Sequence, residues 1–212
     1  MATSSRTPRT SDDLKTALPD VTSTLDLSGL DGRIEVYRDP YGIPHLTAET
    51  VHDAFFGQGF VTAQDRLWHM EFDRRRAYGR WAELVGRDGV EQDLMMRKFQ
   101  IGRSARSDYE ALNDETRAMM DAYAAGVNAF VYATESLPVE FEVVGAKPEA
   151  WEPWDCMAVF KVRHILMGVF EGKLWRAKVL NTLGPERAAE FFQGYQPGHL
   201  MIVPPGHEYD GP

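Results

Sequence analysis

The sequence predicts an α+β chain that is mostly helical. Two observations carry this. Residues 34–48 read as two short extended segments about a tight turn, and from residue 50 onward apolar residues recur at spacings of three and four, the helical period. At 212 residues, with 43% hydrophobic content, the chain is long enough to build a core in one or two domains.

Taken in order, residues 1–30 form a tail, rich in Ser, Thr and Pro over its first twenty residues and expected to be flexible. A domain is expected over 31–192, followed by an irregular exit segment at 193–212. Ile34 and Val36 alternate with polar Glu35, and Asp39-Pro40-Tyr41-Gly42 reads as a turn in which Pro40 fixes one backbone angle and Gly42 accepts a positive φ. Thr50 is placed to cap a helix starting at Val51, with Asp53 at its positive end. Gly57 and Gly59 inside it signal close packing. Residues 64–84 continue the helical pattern through Leu67, Met70, Phe72, Tyr78, Trp81 and Leu84 until Gly86 and Gly89 end it. Residues 91–106 predict a helix with Leu94, Met95, Phe99 and Ile101 turned inward. A clearer one covers 113–134, with Thr116, Met119, Met120, Tyr123, Val127, Phe130 and Val131 in phase and the methionines as core filler. Leu137-Pro138 breaks it. Residues 154–183 are helical with an interruption near Gly168 or Gly172; Gly184-Pro185 ends that run, and 185–192 is a short helix with Pro in its first turn.

The net charge of −9 speaks against a nucleic-acid-binding face and reads as solubility. Arg74, Arg75, Arg76 and Arg80 lie among Glu71 and Asp73; a solvated or salt-bridged face is the expected role, binding of an anionic substrate the sharper one. The single cysteine, Cys156, allows no intrachain disulfide and no Cys-based zinc site, and its apolar helical setting predicts a buried, inert thiol. No apolar run is long enough to span a membrane, and the N-terminus lacks an apolar signal core. A cytoplasmic location is therefore favoured, with a periplasmic or secreted one following if an export signal has been removed. His45, His52 and His69 are widely spaced and no His-Glu-x-x-His pattern exists, which argues against a metal hydrolase.

Four short motifs stand in order near the N-terminus: Tyr37-Arg38-Asp39, Tyr41-Gly42-Ile43-Pro44-His45, Gly57-Gln58-Gly59-Phe60 and Ala63-Gln64-Asp65-Arg66-Leu67. Ala124-Ala125-Gly126-Val127-Asn128-Ala129 and Trp151-Glu152-Pro153-Trp154-Asp155 follow. Through these the chain resembles the α chain of penicillin acylases, a branch of the N-terminal nucleophile hydrolase superfamily, over roughly residues 33–192. The resemblance implies a zymogen that cleaves itself into a small α chain and a larger β chain, an obligate heterodimer. It implies a four-layer αββα core shared by both chains, with strands near 34–48 pairing with the β chain, since a lone hairpin is marginal. It also implies that no catalytic residue lies in this chain. The nucleophile is then the first residue of the β chain, a Ser whose own α-amino group, with an ordinary pKa of roughly 8, is the base.

Anchored on Trp151 and Pro153, the family's acyl-pocket segment falls on residues 164–168. The family's pocket Met falls at His164 and its Arg-Phe pair at Met167 and Gly168, while Phe170 becomes a candidate if the register slips by one before Leu174. These are departures from the family pattern. Gly168 removes aromatic bulk, which admits a longer or wider acyl group; His164 puts a titratable ring in place of a thioether. A core role stands beside the pocket role for each of the four. The family's structural calcium takes an α-chain Glu that aligns with Lys173, and an ammonium has no lone pair for a hard cation. Glu171 is two residues away. No cofactor and no metal ligand is therefore expected in this chain. The implied function is the α subunit of an N-acyl amide hydrolase, with a β-lactam side chain, an acyl-homoserine lactone, an N-acyl amino acid or an acylated aromatic amine as substrate. The alternative is a helical scaffold or interaction subunit that never touches substrate.

Overall fold

Asp39 organises the first turn. Its carboxylate accepts the backbone N–H groups of Tyr41 at 2.9 Å and Ile43 at 3.0 Å, and Gly42 takes φ 79° there. The turn joins β1 (Glu35–Arg38) and β2 (Pro44–Thr47), which pair antiparallel with Glu35 opposite Thr47 and Arg38 opposite Pro44. This computed structural model describes residues 17–168 and 170–192, with Thr10, Leu14 and Lys15. The expected exit segment at 193–212 lies outside the described residues, as does most of the first half of the expected tail. The chain forms two compact units, divided between Leu166 and Met167.

Helix α1 (Val51–Ala77) opens as expected, with the Thr50 hydroxyl accepting the Asp53 N–H at 3.0 Å. It bends at Arg66, where φ is −141° and ψ 20°. After α2 (Ala82–Val85) and a 3₁₀ turn (Gly86–Gly89) come α3 (Val90–Phe99), α4 (Ile101–Ala111), α5 (Asp114–Ala133), α6 (Val139–Val144) and α7 (Asp155–Met167). The Asn113 side chain caps α5 by accepting the Thr116 N–H at 2.8 Å.

The expectation for 91–106 needs correcting. Gln100 adopts the left-handed region at φ 53° and splits the segment into α3 and α4, which resets the helical phase. Leu94 and Phe99 point outward, while Met96 is fully buried and packs with buried Ala77, Ile101, Ala105, Ala158 and Val162.

The larger core forms where α1 crosses α5, around Ala63, Leu67, Met70, Ala124, Val127, Phe130, Phe141 and Trp151. The crossing is a backbone contact. A Cβ built on Gly126 would stand 1.9 Å from the Phe56 carbonyl oxygen, and one on Gly59 2.1 Å from that of Tyr123. Only hydrogen fits at either place, which accounts for glycine inside two long helices despite its helix cost of about 1 kcal/mol each.

The second unit holds α8 (Phe170–Ala189), which bends at Gly184 (φ 77°) immediately before Pro185. The interruption expected near Gly168 or Gly172 falls at Gly168, with Gly172 inside the helix.

Candidate functional site

Two arginines of α1, Arg74 and Arg75, are spent internally. Arg74 reaches the carboxylates of Glu71 and Asp155, the latter at 3.1 Å, and donates to the carbonyls of Ala150 and Glu149. Arg75 bonds Glu71 at 2.6 Å, Glu83 at 2.7 Å and Glu149 at 3.2 Å. Both guanidinium groups are buried, so this part of the cluster is salt-bridged out of solvent, whereas Arg80 at its edge pairs with partly exposed Glu83 and Glu149. Burial works against the charge of Arg74, and the carboxylates of Glu71 and Asp155 outweigh it, holding the group above its usual pKa. With every strong donor matched inside the chain, Arg74 and Arg75 are not free to bind an anionic substrate. Burying an ion set of this kind is sustainable only because each member has several partners.

Asp155 is the hub that locates α7. One oxygen takes Arg74 and the Glu152 N–H at 2.9 Å; the other takes the Tyr78 hydroxyl. Burial and the facing carboxylate push that phenol well above the usual tyrosine value. Next to it, burial pushes the Cys156 thiol up to about 11, so it carries little thiolate near neutrality and is no nucleophile. Asn128 on α5 clamps the loop leading into α7, donating to the Trp151 carbonyl at 2.9 Å and accepting its N–H at 2.7 Å.

Arg38 does the same for the hairpin. It donates to the Gly42 carbonyl at 2.9 Å, to Gln64 at 2.6 Å and to Asp65, with one Nη2–Oδ1 distance of 2.8 Å. The strap before β1 is tied down by Asp53, whose carboxylate accepts the N–H groups of Asp31 and Gly32, both at 2.9 Å. Those bonds hold Asp53 below the usual carboxylate range. Asp31, His52 and Asp53 bring three oxygen or nitrogen atoms within 4.8 Å of one another. Asp53's lone pairs are already engaged by the backbone, and the arrangement is explained as a tie between strap and helix. An open cavity of about 1380 Å³ runs between this strap, β1 and the first half of α1, lined in part by Leu25, Val36 and Phe60.

The four candidate pocket residues fall on either side of the unit boundary. His164 is exposed on α7; its Nδ1 lies 3.0 Å from the Phe160 carbonyl, which can only accept, so Nδ1 is the donor in that contact. Met167, at 75% exposure, and Gly168 are exposed, and Phe170 is half-buried at the start of α8. Lys173 and Glu171 are both exposed on α8. One feature beside His164 was not legible from spacing. Arg163 bridges to Asp73 across ninety positions of sequence, with His69 against it.

Among the described residues the chain is mostly helical, with one small antiparallel hairpin. Residues 33–204 match the penicillin amidase family, and the chain belongs to that family. It is 42% identical over 195 residues to the penicillin acylase 2 proenzyme of Pseudomonas sp. (strain SE83), covering 92% of this chain and 25% of that protein. It is 35% identical to the acyl-homoserine lactone acylase QuiP of Pseudomonas syringae pv. tomato, covering 90% of this chain and 23% of that one. The chain thus spans about a quarter of the length of these curated relatives. Among solved structures it is similar to the thermostable penicillin G acylase from Alcaligenes faecalis, at 27% identity and a TM-score of 0.65, over 81% of this chain and 97% of that one.

Proposed function

We propose that this chain is the small subunit of an N-acyl amide hydrolase, released from a precursor by self-cleavage and active only with the larger β chain. The observation that carries this is a contrast of lengths. The chain corresponds to nearly the whole of one solved penicillin G acylase chain but to a quarter of a protein named as a proenzyme. Its surface agrees with a missing partner. Tyr41, Ile43 and Tyr37 on the hairpin and Leu174 and Trp175 on α8 are large apolar side chains more than half exposed. Such faces call for cover, and the chain alone is expected to be poorly soluble.

In the proposed reaction the hydroxyl of the β chain's terminal Ser gives its proton to the adjacent α-amino group and attacks the amide carbonyl. The C–N bond breaks, the amine leaves with that proton, and an ester-linked acyl-enzyme remains. Water then releases the acid and restores the hydroxyl. This chain contributes shape. His164, Met167, Gly168 and Phe170 line the acyl pocket, with Gly168 leaving room for a long apolar chain and Lys173 occupying the calcium-ligand position without metal.

The test is expression of the whole precursor, Edman sequencing of the larger chain, and assay of acid released from N-acyl amides of increasing acyl length. A larger chain beginning with Ser and a length preference that shifts when Gly168 is made Phe are the expected results. An uncleaved active precursor, or a Gly168→Phe enzyme with unchanged preference, sinks the corresponding half of the proposal.

A further inference from the structure

Arg163 stands one residue before His164 on α7. Its Nε and Nη2 each lie 2.6 Å from Asp73 Oδ2 on α1, and Nη2 also rests against Nε2 of His69. Asp73 is 3% exposed, yet its Oδ1 has no hydrogen-bond partner among the described residues. His69 sits one helical turn earlier, half exposed, with Nε2 3.7 Å from Asp73 Oδ2. The charged groups facing the imidazole are therefore Arg163 from α7 and Asp73 from its own helix. Arg76, further along α1, acts electrostatically on both, and Gln92 of α3, with its amide oxygen turned inward, accepts from the Arg76 guanidinium at 2.9 Å.

A guanidinium has donors only. Its contact with His69 Nε2 requires a lone pair on that nitrogen, hence a neutral ring with the proton on Nδ1. A second proton turns the contact into donor against donor and cation against cation. The same proton gives Nε2 a donor next to a buried carboxylate that still has an open oxygen. The cluster thus has two self-consistent arrangements. In one, Arg163 is shared by Asp73 and His69. In the other, His69 pairs with Asp73 and Arg163 yields.

We propose that Arg163 is a positioning residue for the acyl-pocket turn of α7, and that protonation of His69 resets it through Asp73. This rests on the acylase reading above and deepens it, making acyl preference a function of pH. When His69 gains a proton it changes partner, and the backbone carrying His164 follows Arg163; the test therefore spans about pH 5 to 8, the range in which imidazoles as a class titrate.

The experiment uses the mature two-chain enzyme. The ratio of kcat/KM for N-decanoyl over N-hexanoyl amides is measured across that range in the wild type, His69→Gln and Arg163→Lys. The wild-type ratio is expected to change about fivefold, the low end of ordinary coupling between sites, with the change in KM rather than kcat. His69→Gln keeps an acceptor toward Arg163 but takes no proton, and its ratio is expected to stay flat at undiminished kcat. Arg163→Lys, which keeps the charge but loses the fork, is expected to reduce the change. A His69→Gln profile that overlays the wild type overturns the proposal. An independent arm follows the His69 ring by proton NMR. Its titration midpoint is expected to move in Arg163→Met, and an unmoved midpoint also overturns the proposal. Should the wild-type enzyme hydrolyse no N-acyl amide, the functional reading fails by itself, and the NMR arm still decides whether the switch exists.

Discussion

Helices α1 and α8 are both long and mixed in composition, and they use their residues in opposite ways. Of the 27 residues of α1, 13 are buried, and five of those are charged: Asp53, Glu71, Asp73, Arg74 and Arg75. Helix α8 has 20 residues and buries Ala188 alone, leaving Leu174 and Trp175 exposed. Burying charge is costly unless every charge is paired, whereas exposing leucine and tryptophan forfeits a ready gain of about 2 kcal/mol each. A chain that does the costly thing in one helix and neglects the easy one in another is complete in the first region and unfinished in the second. Around α1 the partners are supplied within the chain by α5, α7 and the 149–155 loop. For the face of α8 the proposed function assigns them to the larger chain.

The largest expected effect tests the complete side. Asp155→Ala leaves Arg74 short of a carboxylate, the partly buried Tyr78 hydroxyl without its acceptor and the Glu152 N–H unbonded. Breaking a buried ion set from one end costs about 3 kcal/mol or more. The urea midpoint of the assembled enzyme should fall accordingly, and a loss below about 1 kcal/mol, the level of an exposed pair, would show that the network is not what holds α7.

The next effect tests the unfinished side. Leu174→Ser should leave the far-UV dichroism of the chain unchanged, because the side chain is 65% exposed. In the two-chain enzyme it should weaken association by about 2 kcal/mol, roughly a thirtyfold rise in dissociation constant by titration calorimetry or subunit exchange. A variant that unfolds the chain but associates normally would reverse the comparison.

Legibility in the sequence followed the same divide. The hairpin, the Thr50 cap, the α5 span and a break near Gly168 or Gly172, of which the structure takes the first, were readable because each depends on residues within a turn or two of one another. The resemblance motifs also became intelligible as fold residues. Arg38 meets Gln64 and Asp65, Gly59 and Gly126 mark the crossing, and Asn128 holds Trp151. What was not readable was long-range. Arg74 with Asp155 and Arg163 with Asp73 join positions 81 and 90 residues apart, and no local period carries that information. The inward face of 91–106 was misread for a different reason. Gln100 is no glycine, so nothing in its side chain advertised the left-handed turn that changes the phase. The pocket candidates rest on alignment to a family, and only their placement, exposed or half-buried about the end of α7, adds to that.

The smallest effect probes the rim between the two regimes. Glu149 receives a two-pronged contact from Arg80, Nη2 to Oε1 at 2.7 Å and Nη1 to Oε2 at 2.8 Å, and those bonds pull its carboxyl down to about 2. A lowered carboxylate stabilises the folded chain fully above its unfolded value of about 4.5 and loses that contribution as pH falls toward 2. The side chain is 45% exposed, so solvent screening reduces the contribution to below about 1 kcal/mol, unlike that of buried Asp155. Arg80→Gln should therefore raise the Glu149 midpoint toward 4.5 in a carbon-13 carboxyl titration while barely moving stability at pH 7. A large stability loss at pH 7 would mean that Glu149 acts through Arg75 as part of the buried set, and the boundary of the self-sufficient region would have to be drawn one layer further out.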